Sequence, residues 1–233
     1  MRRRKECVMS NGIPEIFNGY ILRDGRCIPI DDVETLYREI VTNMEDRVKV
    51  LGILQGLIVE CIRNGMHEAA LSYLEKAFFI TDDPTELARI HLAIGTVYER
   101  ARDYRSAVER YKAAFTLPKE EDETWYFLNN NLGYSLNQLG RCAEAEGYCR
   151  AAIGIDPGLH NAHKNLGIAL QGQGKYVEAA TCFLQAALIS PHDPRSLRHL
   201  EELLRGHCKE VEQDIPDIGE KYNAAAARGG RVH

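Results

Sequence analysis

The sequence has 233 residues, of which 45% are hydrophobic and 27% are charged, the balance of an ordinary globular protein. The formal net charge of −5 argues against a general nucleic-acid-binding protein, which would carry a basic surplus. No stretch approaches the 18 apolar residues of a membrane-spanning helix. We therefore expect neither a nucleic acid nor a membrane as partner, and a length that suits one or two domains or one array of repeats.

The number and spacing of the cysteines indicate whether the protein resides in a reducing or an oxidising compartment. The seven cysteines are scattered, without a C-x-x-C pair or a zinc-like spacing. Several fall at apolar helix positions, where cysteine packs as a small hydrophobe. The basic run Arg2 to Lys5 is not followed by the apolar segment of a secretory leader. We expect reduced thiols and a cytoplasmic protein.

Residues 1–50 are predicted to form an N-terminal extension. Apolar residues flank Asp24-Gly25, a strong signal for a β-hairpin, which we place at residues 20–30. Asp31 and Asp32 then offer an N-cap for an amphipathic helix over residues 31–47. Because a lone hairpin is marginally stable in water, we expect it to pack on the first helices. A sharper alternative is that it covers part of a groove and regulates access.

The dominant pattern is a 34-residue repeat, clearest between Asn161 and Pro191. Five key positions recur at this offset: Leu166 on Leu132, Gly167 on Gly133, Ala179 on Ala145, Ala186 on Ala152 and Pro191 on Pro157. This period is typical of helix-turn-helix solenoids. We place the copies at residues 51–84, 88–121, 126–159 and 160–193, a capping helix at 194–206 and a flexible tail at 207–233.

The repeated glycines are interpreted through packing. Gly95, Gly133 and Gly167 fall within helices, where glycine costs about 1 kcal/mol relative to alanine. We expect the second helix of each unit to approach closely there. Gly140 and Gly174 fall where first helices must end, as expected of C-cap residues.

This pattern resembles the tetratricopeptide repeat family over about residues 51–193. The third and fourth copies fit closely, the second well and the first loosely, with Ile58 in the glycine place. The resemblance implies an all-α fold: a right-handed α-α superhelix (solenoid) of about four helix-turn-helix units, with the hairpin-plus-helix extension and a capping helix. It also implies a concave groove lined by the first helix of each unit. Thr96 and Glu99 are among the inward positions of the second copy.

The resemblance also implies a peptide-binding site in the third and fourth copies and the cap. Asn131 and Asn165 match the asparagines that hold the ligand main chain in peptide-binding members, because an amide offers both a donor and an acceptor. The alternative is that these asparagines only pack against the next helix. With Phe127 and Tyr134 as aromatic anchors, the candidate site comprises Phe127, Asn130, Asn131, Tyr134, Lys164, Asn165, Ile168, Arg195 and Arg198.

Some relatives grip a C-terminal carboxylate with basic residues around such asparagines. Arg195 and Asn165 match that clamp. A full clamp is not expected, because its remaining lysine, asparagine and basic places are taken by Asn130, Tyr134 and His199. A weaker anionic grip by Lys164, Arg195 and Arg198 stands against the alternative that these are solvated charges of the cap.

Motifs of enzyme chemistry are absent from the sequence: there is no phosphate loop, no G-x-S-x-G and no H-E-x-x-H. His160 and His163 lie three apart without a carboxylate or cysteine at ligand spacing, so we interpret them as surface or packing residues. The sequence predicts a non-catalytic protein–protein interaction scaffold or adaptor without a cofactor, which binds a peptide or protein segment in the groove. The alternative is a self-association module, hence a homo-oligomer, in which the hairpin or the C-terminal tail occupies a groove.

Overall fold

The computed structural model describes residues 15–17, 20–23, 26–29, 47–78, 80–118 and 122–229, with side chains from residue 51 onward. The predicted helix over residues 31–47 lies outside the described residues, except for its last position. The chain divides into two compact units, Met1–Ile90 and His91–His233. Both units contain helices that follow one another along the chain, as the repeat predicts.

The first unit opens with a three-stranded antiparallel sheet of order β1-β2-β3. Its strands are β1 (Glu15–Phe17), β2 (Tyr20–Arg23) and β3 (Arg26–Pro29). Strands β2 and β3 pair with Ile21 opposite Ile28, the register of the predicted hairpin. Strand β1 was not predicted, because three residues are too few to show an alternating pattern. Pro29 ends an edge strand, where a missing N–H costs nothing.

Helices α1 (Arg47–Arg63) and α2 (His67–Phe78) form the first helical pair, with Leu57, Ala70 and Leu74 buried. Helix α3 (Pro84–Arg100) follows, and the boundary between the two units falls within it. Helix α3 begins four residues before the predicted second copy. The Asp83 side chain accepts a hydrogen bond from the backbone N–H of Thr85, so the residues that separate the copies form the first turn of a capped helix.

The second unit continues the pairs from the last part of α3. Its further helices are α4 (Tyr104–Ala114), α5 (Glu123–Gln138), α6 (Cys142–Ile155), α7 (His160–Gln171), α8 (Tyr176–Ile189), α9 (Pro194–Asp214) and α10 (Ile218–Gly229). Helix α5 begins earlier than the predicted third copy, again because an aspartate, Asp122, caps it. The predicted all-α repeat fold of about four helix-turn-helix units is confirmed.

The mid-helix glycines mark close helix contacts, as predicted. A side-chain carbon placed on Gly133 would lie 2.5 Å from Sγ of Cys149 on the partner helix, and one on Gly95 would overlap the ring of Tyr111. Gly140 and Gly174 have φ of +73° and +77°, the left-handed conformation that ends the first helix of a pair. Gly95 and Gly133 therefore allow the two helices of a pair to pack closely, with the second helix behind the first helix that carries candidate-site residues.

The C-terminal prediction is wrong. Helix α9 does not end at residue 206 but continues to Asp214 with a kink at His207, and residues 218–229 form α10 instead of a flexible tail. The reason is apolar burial: Val211, Ile218 and Ala225 are buried, and the first two join the core around Phe183. Helical spacing continues through the region that composition suggested was loose.

Candidate peptide-binding site

The predicted site residues lie on α5, α7 and the first turns of α9, within the second unit. They differ in how much of each side chain a partner can touch. Phe127, Arg195 and Arg198 are exposed; Asn131, Tyr134 and Ile168 are half-buried; and Asn130, Lys164 and Asn165 are buried. A partner can therefore contact fewer of these residues than the repeat pattern indicates.

A row of amide side chains joins α5 to α7. The Nδ2 atom of Asn165 donates to Oδ1 of Asn130 at 3.0 Å, and Nδ2 of Asn130 donates to Oδ1 of Asn131 at 2.9 Å. Asn137 adds a second link, because its Nδ2 donates to the backbone carbonyl of Asn165 at 2.8 Å. Asn165 thus packs against the neighbouring first helix, as the alternative interpretation expected, although its buried Oδ1 accepts no hydrogen bond within the described part of the chain.

The amide row continues to a buried tyrosine and a carboxylate. The hydroxyl of Tyr111, on α4, donates to Oε2 of Glu99 at 3.0 Å and lies 3.5 Å from Oγ1 of Thr96. Burial raises the pKa of Tyr111 well above its ordinary value, as does the charge of Glu99, while a hydrogen bond from Asn131 acts in the opposite direction. Burial also raises the pKa of the Glu99 carboxyl. Sequence reasoning placed Glu99 on the inner face but did not include it in the site.

Two aromatic side chains give the site its apolar surface. The rings of Tyr134 and Tyr104 are 6.1 Å apart in an edge-to-face arrangement. Burial and the neighbouring Tyr104 hydroxyl raise the pKa of Tyr134 to about 12, so this side chain is a neutral phenol. The ring of Phe127 packs edge-on against Tyr126 at 5.2 Å and stays 37% exposed. Phe127 is thus a large apolar side chain open to a partner.

Two of the three basic residues of the site, Lys164 and Arg195, already contact neighbouring side chains of the same chain. The guanidinium of Arg195 forms an ion pair with Asp193, whose Oδ2 also lies 2.9 Å from Nε2 of His160. Asp193 caps α9 by accepting the backbone N–H of Arg195, and the hydrogen bonds from Arg195 hold its pKa well below the usual range. Nζ of Lys164 donates to Oδ1 of Asn161 at 3.0 Å, and burial lowers the pKa of this lysine.

His199 does not act as a basic group of a clamp. Its ring stacks on Phe183 at 5.3 Å between centroids, and burial lowers its pKa. Nε2 of His163 donates to the backbone carbonyl of Pro157, 3.0 Å away. In residues 51–78, 80–118 and 122–229, no group of three or more His, Cys, Asp or Glu side chains is arranged to hold a metal ion. The histidines near the site therefore pack and cap.

Two family models match the part of the chain that contains the last three repeats. A family model described as tetratricopeptide repeat matches residues 92–160, and a second with the same description matches residues 160–193. The two matches contain α4 to α8, and thus both α5 and α7, which carry the amide row. Residues 92–193 therefore belong to the tetratricopeptide repeat family. None of the helices in the described part of this repeat protein is both long and apolar enough to span a bilayer.

Solved structures share this tetratricopeptide repeat fold at low identity. BtubC from P. vanneervenii superposes with a TM-score of 0.66 and 20% identity over 88% of this chain and 90% of that one. MamA from Desulfovibrio magneticus RS-1 superposes with a TM-score of 0.62 and 18% identity over 78% of this chain and 98% of that one. Likeness at this level of identity establishes the fold alone.

One curated relative shares sequence with the repeats. The DnaJ homolog subfamily C member 7 homolog of Dictyostelium discoideum is 23% identical over 124 residues, which are 53% of this chain and 23% of that protein. The chain thus matches less than a quarter of the relative's length.

Proposed function

We propose that this repeat protein is a non-catalytic protein-interaction module that binds a peptide or protein segment across α5, α7 and the start of α9. The observation that carries the proposal is the amide row beneath partly exposed side chains. Asn130 and Asn165 are buried and hydrogen-bonded, so they hold Asn131 in a fixed orientation. Binding surfaces gain affinity when such supporting bonds fix the contact residues before the partner arrives.

The contact surface in this proposal has three kinds of chemistry. Asn131 is half-buried and can exchange hydrogen bonds with a peptide backbone of any sequence, because its amide both donates and accepts. Phe127 and Ile168 offer apolar area. Arg198 is exposed and supplies a positive charge at one end. We expect an affinity on the order of micromolar, or about −8 kcal/mol.

The buried members of the predicted set act indirectly. Lys164 is buried, and Arg195 is held by Asp193, so the anionic grip suggested by the sequence reduces mainly to Arg198. The self-association alternative through the C-terminal tail lacks support, because α10 packs on its own unit. Self-association through the N-terminal hairpin stays a prediction.

A reducing compartment such as the cytoplasm belongs to the same proposal. The five cysteines in the described part of the chain are free thiols. Burial raises the pKa of Cys149 to about 12 and that of Cys182 to about 11, which disfavours the reactive thiolate.

A photo-crosslinking experiment tests the proposed site. Benzoylphenylalanine replaces Phe127 on α5 or, as a matched control, Leu188 on α8; the two native side chains have nearly the same exposure, 37% and 38%. After irradiation in cell extract, we expect discrete protein adducts from position 127 that are weak or absent from position 188. Adding Arg198→Ala should weaken them.

The masses of the adducts separate the alternatives. Adducts that contain a different protein support the interaction module, and an adduct of twice the chain mass identifies self-association. Identical adducts from positions 127 and 188, or none from position 127, would overturn the proposed site.

A further inference from the structure

Three residues of the candidate site follow one another along a single face of α5. Phe127, Asn131 and Tyr134 are separated by four and then three residues, the spacing of neighbours on a helix surface. We call these three residues the α5 strip. Phe127 is exposed and the other two are half-buried, so a partner can reach all of them. The strip presents an aromatic side chain, an amide and a second aromatic side chain, with the two aromatic positions about 10 Å apart along the helix axis.

A neighbouring helix enlarges the second aromatic position of the α5 strip. The ring of Tyr104, at the start of α4, lies 6.1 Å from the ring of Tyr134 in an edge-to-face arrangement. Tyr104 is also half-buried, so part of each ring is open to solvent. Tyr134 carries no charge at neutral pH, because burial and the Tyr104 hydroxyl raise its pKa to about 12. Uncharged aromatic surface therefore lies on both sides of Asn131.

The amides of the site offer a partner donors rather than acceptors. Oδ1 of Asn130 accepts from Asn165, and Oδ1 of Asn131 accepts from Asn130. Oδ1 of Asn165 is buried beyond the reach of a partner. An amide NH₂ group has two hydrogens, so a bond from Asn131 to Tyr111 still leaves one for a partner. A backbone carbonyl of the partner thus finds a donor at Asn131, whereas a backbone N–H finds each of these amide oxygens either bonded or buried.

We propose that the α5 strip binds a proline-rich stretch of the partner segment in the polyproline II conformation. Proline has no N–H, so such a stretch leaves no donor unpaired on a face that offers donors itself. One turn of polyproline II has three residues and a length of about 9 Å, close to the separation of the two aromatic positions. This inference rests on the proposed function, since it names the chemistry of the bound segment.

Other backbone conformations fit the α5 strip less well. A segment in β conformation carries an N–H at every residue, and those that face the strip would lose their bonds to water without replacement. A helical segment has its carbonyl groups bonded internally and has none to offer Asn131 except in its last turn. Polyproline II has no internal hydrogen bonds, so its carbonyl groups are available, and aromatic-lined grooves of other domains bind it at a low entropic cost.

The test uses two synthetic peptides on the full chain. Uniformly ¹⁵N-labelled protein is titrated with acetyl-decaproline amide and, in parallel, with an acetylated and amidated peptide of five Ala-Ser pairs, which has the same length and a backbone N–H at every residue. With decaproline we expect saturable shifts of the α5 backbone amides and of the Asn131 side-chain NH₂ signals. The Ala-Ser peptide should bind at least tenfold more weakly.

Two variants examine the contacts of the α5 strip. Asn131→Ala should weaken decaproline binding about three- to tenfold, the effect of one hydrogen bond. Phe127→Ala, at an exposed position, should weaken it by a comparable factor. Asn223→Ala is the matched control, because Asn223 is an exposed asparagine on α10, and it should leave binding unchanged. The spectrum of each variant without peptide shows whether it folds.

Three results would overturn this proposal. They are equal binding of the Ala-Ser peptide, which would indicate a segment in β conformation, unchanged decaproline binding by both Asn131→Ala and Phe127→Ala, and no saturable shift with decaproline up to its solubility limit. Because the peptides need no natural partner, the outcome is separate from the crosslinking test. Discrete adducts from position 127 without decaproline binding would support the proposed function and refute the proline-rich segment.

Discussion

At the scale of single residues, two glycines of the second unit differ in what an added methyl group would meet. At Gly167 it would lie 2.5 Å from Cε1 of Phe183, a buried ring stacked on His199. At Gly147, on α6, it would meet no atom within 4 Å. Overpacking costs about 1–3 kcal/mol, which exceeds the roughly 1 kcal/mol that alanine gains over glycine in a helix.

We therefore expect Gly167→Ala to lower the free energy of unfolding by up to about 2 kcal/mol and Gly147→Ala to raise it by about 0.5–1 kcal/mol. Urea denaturation followed by circular dichroism measures both. A shift of the same sign in the two variants would contradict the close helix contact at Gly167.

Arg102 has a backbone conformation that suits glycine. Its φ is +61°, and the corresponding turns after α1 and α5 carry Gly65 and Gly140 at +71° and +73°. A side chain in this left-handed region costs about 1–2 kcal/mol, so we expect Arg102→Gly to stabilise the protein by about 0.5–1 kcal/mol after the added flexibility of the unfolded chain is included. Arg102→Ala keeps the strain and serves as the control in the same denaturation series. Equal stability of the two variants would argue against strain at this turn.

At the scale of elements, the contribution of α10 to the stability of the fold can be tested directly. Ile218 begins it and is 1% exposed, within the core that also contains Phe183 and Leu200. Ile218→Ala should lower the free energy of unfolding by about 2–4 kcal/mol. Asn223→Ala, at an exposed position of the same helix, should change it by less than about 0.5 kcal/mol. Thermal denaturation of the two variants checks the difference; a negligible effect of Ile218→Ala would mean that α10 does not dock.

The sequence contained the signal for α10. Val211, Ile215, Ile218, Tyr222 and Ala225 are spaced by four, three, four and three residues, the periodicity of a buried helical stripe. Two features obscured it. The alanine- and glycine-rich end suggests flexibility by composition, and Pro216 divides the stripe between two helices. Helices α5 to α8 were predictable because each position recurs 34 residues away, whereas a terminal helix has no second copy for comparison.

At the scale of the whole molecule, stability in acid depends on carboxylates that bind fewer protons when the chain is folded. Glu146 accepts hydrogen bonds from Nζ of Lys175 at 2.8 Å and Nε2 of Gln173 at 2.9 Å. The bond from Lys175 is the largest cause that lowers the pKa of Glu146 to about 2. The unfolded chain binds this proton nearer pH 4.3, so the stabilisation is complete above that pH and is lost as the pH falls toward 2.

We therefore expect wild-type protein to lose more stability than Glu146→Gln between about pH 4.5 and pH 2. Urea midpoints at half-unit pH intervals measure the two slopes, and Glu109→Gln is the control at an exposed glutamate. Parallel slopes for wild type and Glu146→Gln would show that the contacts of Glu146 do not persist in solution.

The sequence predicts where the candidate site residues lie on the repeats, but not which of their side chains are exposed to solvent. The repeat pattern places Asn130 and Asn165 on the same face of adjacent repeats, 35 residues apart. It does not tell which amide faces solvent, because that depends on side-chain rotamers and on the neighbouring helix. The hydrogen bond from Tyr111 to Glu99 could not be predicted from the sequence for the same reason. The sequence pattern indicates that Tyr111 packs between helices and that Glu99 lines the groove, so it gives no sign that the two side chains meet.

The polar row across the second unit also has a sense of direction. Asn165 donates to Oδ1 of Asn130, and Asn130 donates to Oδ1 of Asn131. Each donor in this row therefore points from α7 toward the outer amide on α5. Because the oxygen of Asn131 accepts from Asn130, its Nδ2 group is turned away from that neighbour. The Nδ2 group is thus the edge of Asn131 that an incoming backbone carbonyl can meet.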